Sequence, residues 1–285
     1  MIEEPATGAE AVERFVRSLD VRPDAEDRFV GETEQDREWG RVFGGLVLGQ
    51  AAIAAGRTAP DPTMHSLHAY FLRGGEPGVP IEYHVERVRD GRTFTSRRVL
   101  ARQAGQPICD ITASFVHPEE GISHQEPMPD VPDPETLQDA RLQYPMADGT
   151  LWPLGPLEWR VLVPFDEVAA PGESAIVREW FRFRAPLPDD AVLHEAALAM
   201  ISDMGSLNGI ERRYGWDGFS GKASASLDHA FWIHRPTRLE GWFLMETAAP
   251  IAHAARALTH RRFFSRDGTH VASMAQESIV RRERA

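Results

Sequence analysis

The chain of 285 residues has a single cysteine, Cys109, and no apolar run long enough to cross a bilayer. One cysteine cannot form an internal disulfide bond, which favours a reducing compartment. The formal net charge of −12 argues against nucleic acid or an anionic membrane as the main partner. The acidic start, with Glu3 and Glu4, differs from the basic start of a secretory signal peptide. These features predict a soluble, cytoplasmic protein that binds neither nucleic acid nor membrane.

Hydrophobic residues make up 42% of the chain, which is enough to build the cores of two ordinary domains. Apolar residues recur at helical spacing between Val12 and Leu19 and predict an opening helix. The segment at 42–55 is apolar on every side apart from Gln50, so a helix there must be enclosed by protein. After a short strand at 28–33 and this helix, four strands are predicted to form an antiparallel sheet, at 65–73, 81–89, 94–103 and 108–117.

The second half repeats this order of elements. Strands are predicted at 158–163 and 176–184, a helix at 189–204, and four more strands at 223–234, 242–249, 254–264 and 270–280. The segment HSLHAYF at 65–71 is also similar to ASLDHAF at 225–231. Because prolines interrupt the residues between the halves, we predict a domain at 1–117, a proline-rich linker at 118–157 and a domain at 158–285.

Only the second copy carries polar side chains where chemistry could occur. Asp203 follows Met200 by three residues and so lies beside the apolar stripe of its predicted helix. Strand alternation places Ser226 and His229 on opposite faces of one strand, and Gln276 lies in the last strand. A carboxylate, a hydroxyl and an amide could together hold one water molecule near an electrophile. The alternative is a helix-end aspartate and two polar residues on a solvated strand face.

Several segments with a fixed order and spacing carry a family resemblance, at 42–45, 49–50, 65–73, 89–91, 112–115, 228–236 and 276–277. With these segments the chain resembles the type II acyl-CoA thioesterases, the TesB-like family, over nearly its whole length. The resemblance implies an α+β fold of two tandem hotdog domains. Each domain would be an antiparallel sheet wrapped around a central helix, and the two would pack as a pseudo-dimer.

The resemblance also implies a reaction and its residues. The family uses an Asp on the second central helix, a Thr or Ser just before an Asp-His strand motif, and a Gln in the last strand. These positions are Asp203, Ser226 and Gln276 in this chain. The implied reaction is direct attack of water on acyl-CoA, releasing a fatty acid and CoA without a metal, a cofactor or an acyl-enzyme. Many bacterial relatives carry Thr at position 226, and Ser keeps the hydroxyl with a less restricted rotamer.

Three further residues are candidates for substrate binding. Gly44 and Gly45 would let the backbone approach a substrate closely, although helix packing is the alternative role. Arg73 could contact the CoA phosphates. Three nearby arginines are instead expected on an exposed strand face: Arg97, Arg98 and Arg102. Proteins of this kind usually pair their double-hotdog units, so a homo-oligomer, either a dimer or a tetramer, is expected.

Two other functions stay open from the sequence. The first is a hotdog hydratase. Hydratases of this fold carry an Asp on the helix and a His five residues later, whereas the residue five positions after Asp203 in this chain is Asn208. The second is an acyl-CoA-binding protein without catalysis, which would not need Asp203, Ser226 and Gln276 together. Cys109 lies between apolar residues and is expected to be a core residue rather than a nucleophile. The histidines lack a recognised ligand spacing, so no metal is expected.

Overall fold

The computed structural model describes residues 7–33, 40–60, 63–144, 146, 149–163, 167–170, 173–214 and 224–281. The helices in these ranges are α1 (Gly8–Leu19), α2 (Gly44–Gly56), α3 (Ala140–Gln143), α4 (Ala191–Asp203) and α5 (Asn208–Tyr214). The strands are β1 (Val21–Ala25), β2 (Arg28–Gly31), β3 (Met64–Phe71), β4 (Ile81–Asp90), β5 (Phe94–Gln103), β6 (Gln106–Val116), β7 (Leu157–Val161), β8 (Ile176–Phe183), β9 (Ser224–Ser226), β10 (Asp228–Ile233), β11 (Phe243–His253), β12 (Arg256–Ser265) and β13 (His270–Val280).

Helices α2 and α4 lie at the centre of the molecule. The all-apolar segment of the sequence forms α2, whose residues 45–56 are all buried. Helix α4 begins after Asp190, whose carboxylate caps the first N–H groups. The two helices pack antiparallel and very closely, since a Cβ atom on Gly45 would lie 2.5 Å from the Met200 carbonyl oxygen, and one on Gly49 would lie 3.2 Å from that of Ala196. Glycine is therefore required for the close approach of these helices.

The strands that the structure describes form one antiparallel sheet around the two central helices, in the order β1-β2-β4-β5-β6-β3-β10-β13-β12-β11-β8-β7, with β9 also pairing with β13. Strands β3 and β10 join the halves, and Leu67 lies directly opposite Phe231. The second six strands repeat the first six in reverse order, as expected for a pseudo-twofold axis at this junction. The predicted α+β arrangement of two copies packed as a pseudo-dimer is thereby confirmed.

Two strand predictions in the second half were wrong in detail. The strand predicted at 223–234 is two strands, β9 and β10, separated at Leu227. The strand predicted to start at 254 begins at Arg256, because Ala254 and Ala255 form the hairpin turn with φ values of 49° and 59°. Such turns usually carry Gly, Asn or Asp, so two alanines give no local signal. Strand β1 and helices α3 and α5 were not predicted.

The proline-rich segment packs on the outer face of the second half rather than only crossing the surface. Pro134 is buried, and the Trp180 indole donates a hydrogen bond of 3.0 Å to the Pro132 carbonyl oxygen. The Trp242 indole donates to the Glu135 carboxylate at 2.9 Å, and the Arg182 guanidinium lies 4.4 Å from the Trp242 ring centroid. The predicted boundaries at 117 and 158 stay a prediction.

Glu195 in α4 is a buried carboxyl, and each of its oxygens lies 3.1 Å from the Met64 backbone nitrogen. Burial raises its pKa to about 8. The folded protein therefore binds a proton that the unfolded chain has lost, and the free energy of unfolding falls as pH rises from about 5 to 8. We expect Glu195→Gln, which keeps an oxygen for the Met64 N–H, to be more stable than the wild type at pH 8 by at least about 1 kcal/mol.

Thermal unfolding of both proteins at pH 5 and pH 8 measures this difference. The exposed change Glu13→Gln is the control and should leave the pH dependence as in the wild type. An equal change in melting temperature between pH 5 and pH 8 for the wild type and Glu195→Gln would contradict the prediction.

None of the helices in the described part of the chain has the length and apolar character needed to cross a bilayer.

Candidate active site

Gln276 is the centre of a buried hydrogen-bond cluster in the second half. Its side chain is fully buried, and its Nε2 donates to the Ser226 Oγ at 2.8 Å and to the Ser206 Oγ at 3.0 Å. Its Oε1 lies 2.5 Å from the His229 Nδ1. The other ring nitrogen, Nε2, lies 2.9 Å from the Ser202 Oγ. Two of the three predicted residues, Ser226 and Gln276, are therefore in direct contact.

The His229 ring fixes the direction of these hydrogen bonds. Its burial lowers its pKa, so the ring is neutral near pH 7. With Nδ1 donating to the Gln276 oxygen, a neutral ring accepts at Nε2, and Ser202 donates to it rather than to the Ala199 carbonyl oxygen 2.7 Å away. The Gln276 NH₂ group then points at Ser226. The Ser226 oxygen accepts from this amide, which leaves the hydroxyl hydrogen for a bound molecule.

A β-bulge brings Ser226 and His229 to the same face, whereas simple alternation predicted opposite faces. Ser226 pairs with Ser278 and Ala230 pairs with Ala275, so this side of the ladder has one residue more than β13. The Asp228 carboxylate stabilises the bulge by accepting the Glu277 N–H at 2.8 Å. The face prediction for His229 was therefore wrong, because an extra residue reverses the alternation of every later side chain.

Asp203 is the last residue of α4 and is only 5% exposed. Its Oδ1 is buried without a hydrogen-bond partner among the described residues. Its Oδ2 faces the start of α2, where a Cβ atom on Gly44 would lie 2.8 Å from it and 3.0 Å from the Phe71 ring. The Phe43 side chain does not cap this helix, so the N–H groups of its first residues, which begin at Gly44, have neither an intrahelical partner nor a cap from that side chain.

The connection between Asp203 and the Gln276 cluster passes through Ser202, its neighbour in α4, and the His229 ring. The Asp203 charge also acts on His229, where it opposes the lowering of the pKa by burial. The structure shows no direct hydrogen bond from Asp203 to Ser226 or Gln276 among the described residues. Asp203 therefore lies next to the cluster that contains Ser226 and Gln276, and its Oδ1 is free of hydrogen bonds among the described residues.

The described part of the first half lacks this cluster. Helices α2 and α4 each have 13 residues, and Gly56 ends α2 as Asp203 ends α4, so Gly56 is the counterpart of Asp203 in the repeated order of elements. A Cβ atom on Gly56 would lie 2.7 Å from Val192, so the closely packed helices leave no room there for a carboxylate. The polar cluster is consequently a property of the second half alone.

The remaining predicted residues are placed differently. Gly44 lies at the Asp203 carboxylate, whereas Gly45 packs against α4. Arg73 is exposed and donates to the Pro107 carbonyl oxygen at 2.9 Å. The prediction that Arg97 is exposed was wrong: it is fully buried, and its guanidinium donates to the carbonyl oxygens of Thr58, Arg89 and Ser96 and to the Asp90 carboxylate at 2.5 Å.

Four buried residues of the cluster were missed from the sequence: Ser202, Ser206, His229 and Arg261. His229 is part of the Asp-His strand motif, so a signal was present, but alternation assigned it to the wrong face. Arg261 gave no signal, because an arginine in a predicted strand indicates an exposed position. Cys109 is buried as predicted, and burial raises the pKa of its thiol. The described residues include no group of three or more His, Cys, Asp and Glu side chains that could hold a metal ion.

Two family models match this chain, the acyl-CoA thioesterase N-terminal domain over residues 34–116 and the acyl-CoA thioesterase C-terminal domain over residues 126–280. The chain belongs to the acyl-CoA thioesterase family. It is 36% identical to acyl-CoA thioesterase 2 of Haemophilus influenzae, over 89% of this chain and 92% of the relative. It is 34% identical to human acyl-coenzyme A thioesterase 8, over 92% of this chain and 87% of the relative.

Solved structures agree with this assignment. The acyl-CoA thioesterase II TesB2 of Mycobacterium marinum superposes with a TM-score of 0.76 at 36% identity, over 93% of this chain and 97% of that one. A hot dog fold protein of Alicyclobacillus acidocaldarius gives a TM-score of 0.76 at 20% identity, over 95% and 99% of the two chains, and shows the shared fold. The predicted family, the double hotdog fold and the thioester hydrolase class are confirmed.

Proposed function

We propose that this chain hydrolyses acyl-CoA to a fatty acid and CoA by direct attack of water, and that Asp203, Ser226 and Gln276 hold that water. The observation that supports this most strongly is the buried Oδ1 of Asp203, which has no partner within the described residues. Buried polar atoms in folded proteins are almost always hydrogen-bonded, so an unpaired carboxylate oxygen indicates a place for a water or a substrate.

The hydrogen-bond directions fit this role. Asp203 accepts a proton of the water, and the Ser226 hydroxyl donates to the water oxygen because its own oxygen is occupied by the Gln276 amide. The remaining lone pair of the water attacks the thioester carbonyl carbon. The C–S bond then breaks, and the thiolate of CoA takes up the proton that Asp203 received. No bond forms between the protein and the acyl group.

The start of α2 would stabilise the negative charge that develops on the carbonyl oxygen. The N–H groups of Gly44 and Gly45 are the first of the helix and have no partner within it. The partial positive charge of a helix N-terminus favours an oxyanion, and preformed donors do not have to reorganise during the reaction. A side chain at position 44 would fill this space, because its Cβ atom would lie 2.8 Å from the Asp203 Oδ2.

The alternative functions have less support. Asn208, at the position of the histidine in the hydratase pattern, directs its Nδ2 at the Glu179 carboxylate 3.2 Å away and supplies no acid–base group.

Release of free thiol from acyl-CoA tests the proposal. Hydration of an enoyl-CoA without thiol release would indicate a hydratase, and binding without turnover would indicate a non-catalytic protein. The cytoplasmic location, the homo-oligomer and the contact of Arg73 with CoA stay predictions.

Replacing Ser226 tests the hydroxyl separately. We expect Ser226→Ala to lower kcat by about tenfold to a hundredfold, because the water loses one donor. Ser226→Thr keeps the hydroxyl and restricts its rotamer, so its kcat should stay within about threefold of the wild type. Steady-state thiol release at saturating acyl-CoA measures both. Equal rates for Ser226→Ala and the wild type would show that the hydroxyl does not hold the water.

A further inference from the structure

Arg261 of β12 lies beneath the end of α4 and is 1% exposed. Its Nη1 donates to the Ser202 carbonyl oxygen at 2.9 Å, and its guanidinium also donates to the carbonyl oxygens of Met204 and Gly205. These carbonyl groups stand on both sides of Asp203. The last carbonyl groups of a helix have no intrahelical partner and carry partial negative charge, so the guanidinium satisfies and neutralises this helix end.

The same helix end is an unfavourable place for a carboxylate. Burial removes the solvation of the Asp203 charge, and the helix C-terminus adds partial negative charge of its own. The Arg261 guanidinium is attracted first by Glu179 and then by Asp203, so a positive charge stands beside the Asp203 carboxylate. The Nη1 and Nη2 groups of Arg261 donate to backbone carbonyl groups, and no ion pair with Asp203 forms, so the Asp203 Oδ1 stays free among the described residues. The charge is thus compensated without occupying the lone pairs that must accept from water.

The other titratable groups around this site do not supply a cation. The His229 ring of β10 is neutral because burial lowers its pKa, and burial raises the pKa of the Cys109 thiol of β6. Burial also raises the pKa of Glu179 in β8, an acid next to Arg261. Desolvation lowers the pKa of Arg261 to about 10, which leaves the guanidinium charged at neutral pH. Among these described groups, Arg261 alone carries positive charge.

We propose that Arg261 is a positioning residue that holds Asp203 at the end of α4 and supplies the positive charge beside its carboxylate. This inference rests on the proposed function, in which Asp203 acts as the water-activating base. According to this inference, Asp203 can act as a base because of Arg261, a side chain that does not touch the substrate.

The first half contains a matched control. Arg97 of β5 is likewise fully buried, and it donates to the Thr58 carbonyl oxygen at 2.9 Å just after α2. The counterpart of Asp203 there is Gly56, and the carboxylate that Arg97 binds is that of Asp90, so Arg97 is a buried arginine next to a central helix without a candidate catalytic carboxylate. A change at Arg97 should therefore cost stability but leave the pH dependence of hydrolysis as in the wild type.

The test is the pH dependence of kcat/KM for acyl-CoA in Arg261→Met, Arg261→Lys and Arg97→Met. Loss of the cation disfavours the ionised carboxylate, so we expect the acid limb of Arg261→Met to move up by about one pH unit. Its activity would then be about tenfold lower at the acid end and recover towards alkaline pH. Arg261→Lys should keep the limb near the wild-type position, and Arg97→Met should not move it. An unmoved limb in Arg261→Met, or an equal shift in Arg97→Met, would overturn the inference.

A thermal-stability cycle with Asp203→Asn gives a readout that does not depend on activity. If the two charges are coupled, the double variant Asp203→Asn/Arg261→Met loses less stability than the two single changes together. Additive losses would overturn the coupling. If Arg261→Met fails to fold, recovery of folded protein in the double variant supports the inference, and equal failure overturns it. Wild-type activity in Asp203→Asn would instead refute the proposed function, while the cycle still measures the coupling.

Discussion

Asp203→Asn is expected to lower kcat by about a thousandfold or more, because the amide cannot take up the proton of the attacking water. Asn has the same shape, and Arg261 keeps its three carbonyl acceptors at the end of α4, so the fold should be retained. The KM for acyl-CoA should change little, since the lost interaction is made mainly in the transition state. Initial rates of thiol release over a range of acyl-CoA concentrations measure both constants.

The matched control is Asp110→Asn on the outer face of the sheet. Asp110 is paired with Arg98 at 2.7 Å and has no hydrogen bond to Asp203, Ser226 or Gln276 among the described residues, so this variant should hydrolyse substrate at the wild-type rate. Circular dichroism of both variants establishes that they are folded. A folded Asp203→Asn protein with a kcat within tenfold of the wild type would show that another group activates the water.

The second large effect is expected for Gln276→Glu, which should lower kcat by about a hundredfold. The carboxylate keeps an acceptor for the His229 Nδ1–H but can no longer donate to Ser226, so the hydroxyl loses the partner that orients it. It also adds negative charge close to Asp203, which disfavours the ionised base. The change isolates the donor function of the amide, since size and acceptor capacity are nearly kept.

Gln276→Met completes this comparison, because it removes both the donor and the acceptor at similar volume. If the donor is what matters, both variants lose activity to a similar extent. If only the acceptor for His229 matters, Gln276→Glu stays active while Gln276→Met does not, and the proposed role of the amide as a donor to Ser226 is then wrong. Gln106→Glu, at the exposed start of β6, should have no effect on hydrolysis.

The sequence predicted those elements whose signals are local. Strand β5 (Phe94–Gln103) and strand β13 (His270–Val280) have the predicted limits, because β-branched and aromatic runs end at the turn residues Ala104-Gly105 and Asp267-Gly268. Helix α2 was found because an apolar segment without a polar side has to be enclosed. The hairpin at Ala254 and Ala255 was misplaced, since its backbone conformation is imposed by strand pairing rather than by residues that favour it.

For the candidate site too, the sequence predicted some residues and missed others. Asp203, Ser226 and Gln276 were named from spacing and family resemblance. The structure brings Ser226 and Gln276 into direct contact, and Asp203 follows Ser202, which the His229 ring connects to Gln276. Their roles stay predictions. His229 was assigned to the wrong face because pairing with β13 inserts a bulge that alternation cannot anticipate. Arg97 and Arg261 were not recognised as buried, because an arginine becomes buried only where backbone carbonyl groups converge on it.

The sequence by itself determined the duplication, the family, and the helix and strands that carry the polar residues, since periodicity, turn chemistry and motif order are properties of neighbouring residues. Only the tertiary structure decided that the Asp203 carboxylate keeps an oxygen without a partner among the described residues, which way the Gln276 amide points, and which cation lies beside Asp203. These properties depend on the close packing of α2 against α4 and on the register of β9, β10 and β13. Both arise from contacts between residues far apart in the chain, for which local sequence carries no signal.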